Sequence, residues 1–304
     1  MKQLFLILFS CILLTVNAQD WNIPKVGDGG WEVEQEFTLN KKRRNILLIS
    51  EASAYTVALV GLNQLWYADY PKSSFHFIND NEEWLQMDKM GHMSASYYTG
   101  VAGIKAYEWA GFSRKNAIWY GGMTGSIFLT VIEVLDGTSE QWGASSGDLI
   151  ANTTGSLLAI GQALKWNEQR IQLKYSYSPS NMAAKNPEQL GSNHLERALK
   201  DYNGQTYWLT LNLKSLLQIE NPNFPSWLSL ALGYGADEMV NPYHDEGDAE
   251  RYRQFLMSFD VDLNKIKTKN KTLNSVLHTF GFLKFPTPAI QYRNGNIFFH
   301  PVYY

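Results

Sequence analysis

The chain has 304 residues, of which 26 are Lys or Arg and 29 are Asp or Glu, so its formal net charge is −3. A weakly acidic chain without a clustered basic face argues against nucleic-acid binding. The length is enough for one large or two modest domains. Aromatic residues make up 14% of the chain. Such a content is found at membrane interfaces and sugar-binding surfaces, although ordinary core packing explains much of it.

Residues 1–18 have the pattern of a secretory signal peptide, with Lys2 as the positive start and a small-residue cleavage site that ends at Ala18. The apolar run between them is shorter than the roughly 20 residues that a membrane anchor needs. The single cysteine, Cys11, lies inside this segment after a poor lipobox. We therefore expect cleavage after Ala18 and a mature chain without disulfides or zinc–thiolate sites.

Four long apolar segments predict a helical bundle over residues 45–167, after an extended lead-in at 19–44. Their uncharged cores are each shorter than the roughly 18 to 20 residues of a membrane-spanning helix. They are rich in Gly, Ala, Ser and Thr, which let helices approach closely in membranes. A buried soluble bundle and a short membrane-embedded bundle therefore both remain open. The expected helices are at about 45–67, 88–112, 113–135 and 147–166, with Ser113 capping the third and Asp136-Gly137 ending it.

From residue 168 onward, apolar and polar residues largely alternate, which predicts antiparallel strands and a hairpin about Asn294-Gly295. Alternation with an aromatic ending also suits an outer-membrane barrel, but about six strands is fewer than the eight of the smallest barrels. A sheet packed on the helices is therefore favoured. The expected strands are at 171–178, 206–217, 227–235, 255–263 and 289–304, and two further helices are expected at 187–202 and 271–282.

Small and polar residues line one face of each of three predicted helices, while the other faces are apolar. A bundle that is polar inside and apolar outside is expected in lipid or beneath another domain. The three faces hold Asp88, His92, Ser96, Thr99 and Gly103; Gly122, Ser126, Leu129 and Glu133, with Asp136 one turn further; and Asp148, Asn152, Gly155 and Ala159.

Antiparallel packing of these helices would bring His92, Glu133 and Asp148 to one end of the bundle, with Asp88 and Lys89 beside them. Carboxylates with one imidazole suit a divalent metal such as Mn, Mg, Ca or a catalytic Zn. The same groups could act as an acid–base pair, with His92 oriented by Asp88 or Glu133. They could also form a structural network, in which Asp88 and Asp148 cap helix starts and His92 satisfies Glu133. All three interpretations remain open.

Three blocks, DKMGHMSASYY, VIEVLDG and SGDLIANTTG, resemble the D-K-x-x-H, E-x-x-D-G and D-x-x-x-N-x-x-G pattern of the YfiM-like family of predicted periplasmic lipoproteins, a domain of unknown function. The chain is more distantly similar to VanZ-like membrane proteins. The resemblance implies a cell-envelope location and a four-helix core, and no established activity. Its matching positions are Asp88, Lys89, His92, Glu133, Asp136, Gly137, Asp148, Asn152 and Gly155.

We therefore predict an exported α+β protein of the periplasm or outer membrane of a Gram-negative-type cell. A four-helix bundle, soluble or embedded in lipid, precedes an antiparallel β-rich region with two extra helices at 168–304. The leading hypothesis is a non-enzymatic envelope protein, structural or involved in lipid handling or assembly, whose partner is membrane lipid or another envelope component. The alternative is a metal-dependent hydrolase with a divalent ion on His92, Glu133 and Asp148, and Asp88 as base or orienting group. A third hypothesis is an aromatic sheet that binds glycan or lipid.

Overall fold

The computed structural model describes residues 38–68, 70–244 and 249–304. The predicted signal peptide, Cys11 and most of the predicted lead-in lie outside the described residues. The first helix, α1, spans Lys41–Leu62, and the Asn40 side chain caps it by accepting a hydrogen bond from the Arg43 amide. The predicted extended lead-in to residue 44 is therefore wrong at its end, because a good N-cap residue starts the helix before the basic run.

Three further helices complete the bundle: α2 (Met87–Trp109), α3 (Arg114–Gly137) and α4 (Ser146–Trp166). Ser113 caps α3, as predicted. The helices approach closely where small residues face a neighbouring backbone. A Cβ atom built on Gly155 of α4 would lie 2.9 Å from the Tyr97 amide nitrogen of α2, and one on Gly125 of α3 would lie 2.6 Å from the Ser96 carbonyl oxygen. The stripes of small residues thus hold three helices in contact.

A short parallel pair links two loops at one end of the bundle. Strands β1 (Phe77–Ile78) and β2 (Ala144–Ser145) pair with Ile78 opposite Ser145. The pair therefore holds the loop before α2 against the first residues of α4.

The C-terminal half forms a six-stranded antiparallel sheet whose strands neighbour one another in chain order, as predicted in type. The hairpin turns at Asn294-Gly295, both with positive φ, which the sequence predicted. The strands are β3 (Ile171–Tyr177), β4 (Gln205–Asn212), β5 (Leu228–Asp237), β6 (Tyr252–Val261), β7 (Thr287–Arg293) and β8 (Asn296–Tyr303).

Two predicted elements of this half were wrong in their extent. The expected strand at 206–217 ends at Asn212, whose side chain caps a short helix, α7 (Leu213–Leu216). The expected helix at 187–202 is divided at Gly191, where φ is +101°, a value that interrupts a right-handed helix. Its two parts are α5 (Pro187–Leu190) and α6 (His194–Lys200), and the last helix, α8, spans Lys271–Thr279.

The sheet is strongly curled. The Tyr303 hydroxyl of β8 lies 3.1 Å from the Thr206 hydroxyl of β4, although three strands separate them and a flat sheet would place them about 19 Å apart. Lys174 of β3 likewise forms an ion pair of 2.6 Å with Asp260 of β6. Side chains from distant strands therefore meet inside the curl.

The two faces of the curled sheet have inverted polarity. Buried positions on the inner face are mostly polar, whereas large apolar side chains on the outer face are exposed. The helical bundle covers only part of this outer face, near β3 and β4, where Tyr175 and Tyr207 join the main core. The buried set includes Gln172, Lys174, Thr206, Gln254, Ser258, Asp260 and Gln291, and the exposed set includes Leu232, Phe255, Met257, Phe259, Ile290, Tyr292, Ile297 and Phe299.

Candidate functional site

A cluster of polar side chains, which we call the polar cluster, lies where the start of α2 meets the end of α3 and the start of α4. It comprises Asp80, Asp88, Lys89, His92, Glu133, Asp148 and Asn152, all buried or nearly so. The sequence analysis named six of these seven residues. The structure brings the six together.

The chain enters the polar cluster through a left-handed turn. Trp84, Leu85 and Gln86 all have φ between +47° and +66° immediately before α2, a conformation that costs non-glycine residues about 1–2 kcal/mol each. The Trp84 amide donates to the Pro242 carbonyl, and its ring packs on Tyr202 at a centroid distance of 5.4 Å. Contacts with the C-terminal half thus hold the first turn of α2 in place.

The Lys89 ammonium lies among three aspartates. Its Nζ atom is 2.5 Å from Asp80, 3.0 Å from Asp88 and 3.2 Å from the Oδ1 atom of Asp148. A buried charge needs such partners, since an isolated one is very costly to remove from water. Lys89 therefore neutralises part of the acidic charge of the polar cluster.

Ser145 connects the loops to α4 and corrects one prediction. Its hydroxyl donates to Asp80 at 2.6 Å and accepts from the Asp148 amide at 3.0 Å, so Ser145 is the N-cap of α4. Asp88 and Asp148 lie in the first turns of their helices and do not cap them. Neither Asp80 nor Ser145 was selected from the sequence, because the β1–β2 pairing that joins them is not visible in any helical spacing.

His92 lies between α3 and α4. Its Nδ1 atom is 2.9 Å from the Oδ1 atom of Asn152, and its Nε2 atom lies 3.6 Å from Asp148 and 3.9 Å from Glu133. The other oxygen of Glu133 accepts from the Ser145 amide at 2.9 Å. The Nδ1 atom of His92 therefore has a polar partner at hydrogen-bond distance, whereas its Nε2 atom faces two carboxyl groups at longer range.

The remaining predicted residues border the polar cluster. Asp136 accepts a 2.6 Å hydrogen bond from the Tyr67 hydroxyl. Gly155 packs against the backbone of α2. One turn along α2, the Ser96 hydroxyl bonds the Asn152 carbonyl and meets Ser156. Asp136 and Gly155 thus support the cluster from its edges.

Burial shifts the pKa values of the polar cluster strongly. It raises the pKa of Asp88 to about 6, with the nearby Asp148 carboxylate adding to the rise, and it raises the pKa of Asp148 to about 7. Burial lowers the pKa of His92 to about 4. Burial also opposes the charge on Lys89, but the surrounding aspartates outweigh it and hold the pKa of Lys89 above its usual range. At neutral pH, His92 is therefore uncharged, and Asp148 is divided between its protonated and ionised forms.

The comparisons with known proteins agree with the predicted family. A family model described as "Predicted periplasmic lipoprotein (DUF2279)" matches residues 75–162. This match confirms the predicted likeness to a family of predicted periplasmic lipoproteins over part of the expected span. It also indicates an exported protein of the cell envelope. The VanZ-like resemblance stays a prediction. No curated protein and no solved structure matches the chain. The part of the chain that holds α2, α3 and most of α4 is thus similar to this family of predicted periplasmic lipoproteins.

Proposed function

We propose that this chain is a non-enzymatic protein of the cell envelope that lies against a membrane, where it has a structural, lipid-handling or assembly role. The outer membrane is the proposed location. The observation that carries the proposal is the inverted polarity of the curled sheet, which buries Lys174 and Asp260 while it exposes Phe255 and Phe259. Soluble monomers rarely expose a large contiguous apolar patch.

The helices also expose apolar side chains. Ile49, Val57 and Val60 are exposed on α1, and Ile127 and Val134 are exposed on α3. Both helices are long and apolar enough to cross a membrane, although length and composition alone do not separate a lipid-facing helix from a core helix. Exposed apolar side chains on both the sheet and the helices fit a continuous nonpolar medium such as lipid better than a single protein partner with a fixed shape.

The open sheet argues for association with a membrane rather than full burial in it. The strands run in the linear order β3 to β8, and a free edge in hydrocarbon would leave backbone groups without hydrogen bonds. We therefore propose that the apolar outer face contacts lipid while the edge at β8 stays in a polar environment.

The proposal predicts retention of the protein on membranes after a carbonate wash. Phe255, Phe259 and Ile297 are 51%, 57% and 74% exposed on the outer face. Contact with lipid would stabilise each by about 1–2 kcal/mol. The triple variant Phe255→Ser, Phe259→Ser, Ile297→Ser should therefore bind lipid vesicles at least about 100-fold more weakly.

A matched control is the double variant Leu195→Ser, Leu217→Ser. Each of these leucines is 67% exposed but lies off the sheet, in α6 or just after α7. This control should float with vesicles like the original protein. Full release of the original protein in soluble form by carbonate would contradict the proposal.

The metal-dependent hydrolase is the second candidate. Its support is the convergence of His92, Glu133 and Asp148, with Asp88 one turn before His92. A substrate would have to reach groups whose exposure is at most 7%, and Lys89 already pairs with Asp88 and Asp148. We therefore place this function behind the non-enzymatic role.

A further inference from the structure

The polar cluster contains two sets of three metal-binding groups, and one set already holds a cation. Asp80, Asp88 and Asp148 form the first set, and His92, Glu133 and Asp148 form the second. The Lys89 ammonium lies within 3.2 Å of all three aspartates, so it occupies the place that an ion would take in the first set. The second set contains an uncharged imidazole and two acids.

Each group of the second set has one atom fixed by the protein and another turned toward the other groups. Nδ1 of His92 is held by Asn152, one oxygen of Glu133 by the Ser145 amide, and Oδ1 of Asp148 by Lys89. The opposite atoms are those that approach one another. Metal-binding histidines characteristically donate their second ring N–H to a polar partner, which orients the ring and fixes its tautomer.

The position of His92 Nε2 adds a buried imidazole nitrogen to the clustered acids and indicates a ligand. His92 is 6% exposed, and Nε2 points toward carboxylate oxygens at 3.6 and 3.9 Å. These separations are too long for hydrogen bonds. They are close to the distance of about 3.4 Å that separates two ligands bound at about 2.1 Å in a tetrahedral site. An imidazole nitrogen that faces two carboxyl groups across such a gap fits an intervening cation.

Charge balance supports the same conclusion. Asp80, Asp88, Glu133 and Asp148 are all buried, and the Lys89 ammonium forms ion pairs with the three aspartates. A divalent ion among these carboxyl groups would share the compensating role of Lys89 in a region of low polarity, where uncompensated charge is very costly.

We propose that His92, Glu133 and Asp148 bind one divalent transition-metal ion of the Zn²⁺ or Mn²⁺ class. One imidazole with two carboxylates favours such an ion over Ca²⁺ or Mg²⁺, which prefer oxygen ligands alone. Asn152 and the Ser145 amide orient the ligands. The ion joins α2, α3 and α4 at one end of the bundle.

The test is calorimetric titration of the full chain, purified in detergent and freed of metal, with ZnCl₂ and MnCl₂. We expect one ion per chain. His92→Asn should weaken binding by about 100-fold or more, and Asn152→Ala by about 10- to 100-fold, which is the usual effect of removing a group that orients a ligand. His278→Asn is the matched control, because this imidazole is exposed on α8 and bonds Asn264, and its titration should match the original.

Pulsed electron paramagnetic resonance of bound Mn²⁺ adds a direct measurement. The spectrum should show coupling to an imidazole nitrogen, and His92→Asn should abolish it. If that variant does not fold, Glu133→Gln and Asp148→Asn replace it in the titration and should each lose affinity. Absence of Zn²⁺ and Mn²⁺ binding in the original chain would overturn the proposal. Unchanged affinity in His92→Asn with tighter binding in Lys89→Met would also overturn it, by moving the ion to the three aspartates.

Discussion

Replacing Gly155 with alanine tests the close approach of α4 to α2. The new Cβ atom would lie 2.9 Å from the Tyr97 amide nitrogen and closer still to the Met93 carbonyl oxygen. Both atoms belong to the backbone of α2, so the clash cannot be relieved by rotating a side chain. The two helices would have to separate, one turn from the hydrogen bond that joins Asn152 to His92.

The expected magnitude follows from two opposing effects. Alanine is favoured over glycine inside a helix by about 1 kcal/mol, and forcing an extra group into a packed interior costs about 1–3 kcal/mol. Since the clash is with backbone atoms, we expect the upper part of that range and a net loss of about 1–2 kcal/mol. Gly161 lies in the same helix, and a Cβ built there meets nothing within 4 Å. Gly161→Ala should therefore stabilise the protein by about 0.5–1 kcal/mol.

The assay is urea unfolding of both variants in the same detergent, followed by tryptophan fluorescence. The difference in the free energy of unfolding between Gly161→Ala and Gly155→Ala should be about 1.5–3 kcal/mol, which a linear extrapolation resolves. Equal stability of the two variants would refute the reasoning, because it would mean that α2 and α4 do not pack through their small residues.

Three further predictions concern caps and buried charges. Ser145→Ala removes the cap of α4 and a hydrogen-bond donor to Asp80, so it should lower the free energy of unfolding by about 2 kcal/mol. Ser113→Ala removes only an exposed cap and should lower it by about 1 kcal/mol. Urea unfolding measures both losses. Asp260→Asn leaves the ammonium groups of Lys174 and Lys284 without their shared acid, so it should cost about 3–5 kcal/mol in the same measurement. Lys174→Met should cost less, because Lys284 remains 3.9 Å from the acid. Burial lowers the pKa of Lys284 to about 8. Between pH 8 and about 10, Lys284 is therefore protonated in the unfolded chain but largely deprotonated in the folded protein. The free energy of unfolding should rise with pH over this range, by at most about 3 kcal/mol.

Each of these predictions has an outcome that contradicts it. Equal costs for Ser145→Ala and Ser113→Ala would show that the hydroxyl at the polar cluster contributes only a cap. A smaller loss for Asp260→Asn than for Lys174→Met would place the dominant charge elsewhere in the curl. For the pH prediction, the free energy of unfolding must rise more steeply with pH in the original protein than in Lys284→Met, which lacks the titrating group. Equal slopes would assign the effect to other side chains.

The features predicted correctly are those that short stretches of sequence determine. Ser113 caps α3 and Asn294-Gly295 turns the last hairpin because each acts within a few residues of itself. The placement of His92 and Asn152 at one end of the bundle also follows from local spacing, since each residue lies one turn beyond an aspartate near the start of its own helix. Their hydrogen bond was not predicted, because the sequence analysis paired His92 with Asp88 or Glu133. The prediction that a strand continues past Asn212 is wrong for a local reason, because the Asn212 side chain caps a short helix that begins at the next residue.

The features that were missed depend on contacts between distant segments. Asp80 belongs to the polar cluster through the parallel pairing of β1 and β2, two strands of two residues each that no periodicity reveals. The left-handed turn at Trp84 depends on Pro242 and Tyr202, more than 100 positions later in the chain. The alternation of polar and apolar residues in β6 was visible in the sequence. Whether the polar or the apolar residues face the interior depends on contacts such as the ion pair between Asp260 and Lys174.

The bundle and the sheet follow one physical rule although they differ in secondary structure. In α2 and α4 the buried residues are mostly Gly, Ala, Ser and charged or amide residues, and in the sheet the buried face carries Gln, Thr, Lys and Asp. A soluble protein would lose free energy by this arrangement, since apolar surface left in water forfeits about 25 cal/mol per Å². The arrangement becomes favourable when a nonpolar medium covers the outside, because buried polar groups then satisfy one another as they do in the Lys89 and Lys174 ion pairs. Under the proposed function, the same surroundings would therefore suit both halves of the chain, and the proposed lipid-facing surface includes the sheet as well as the family-matched helices.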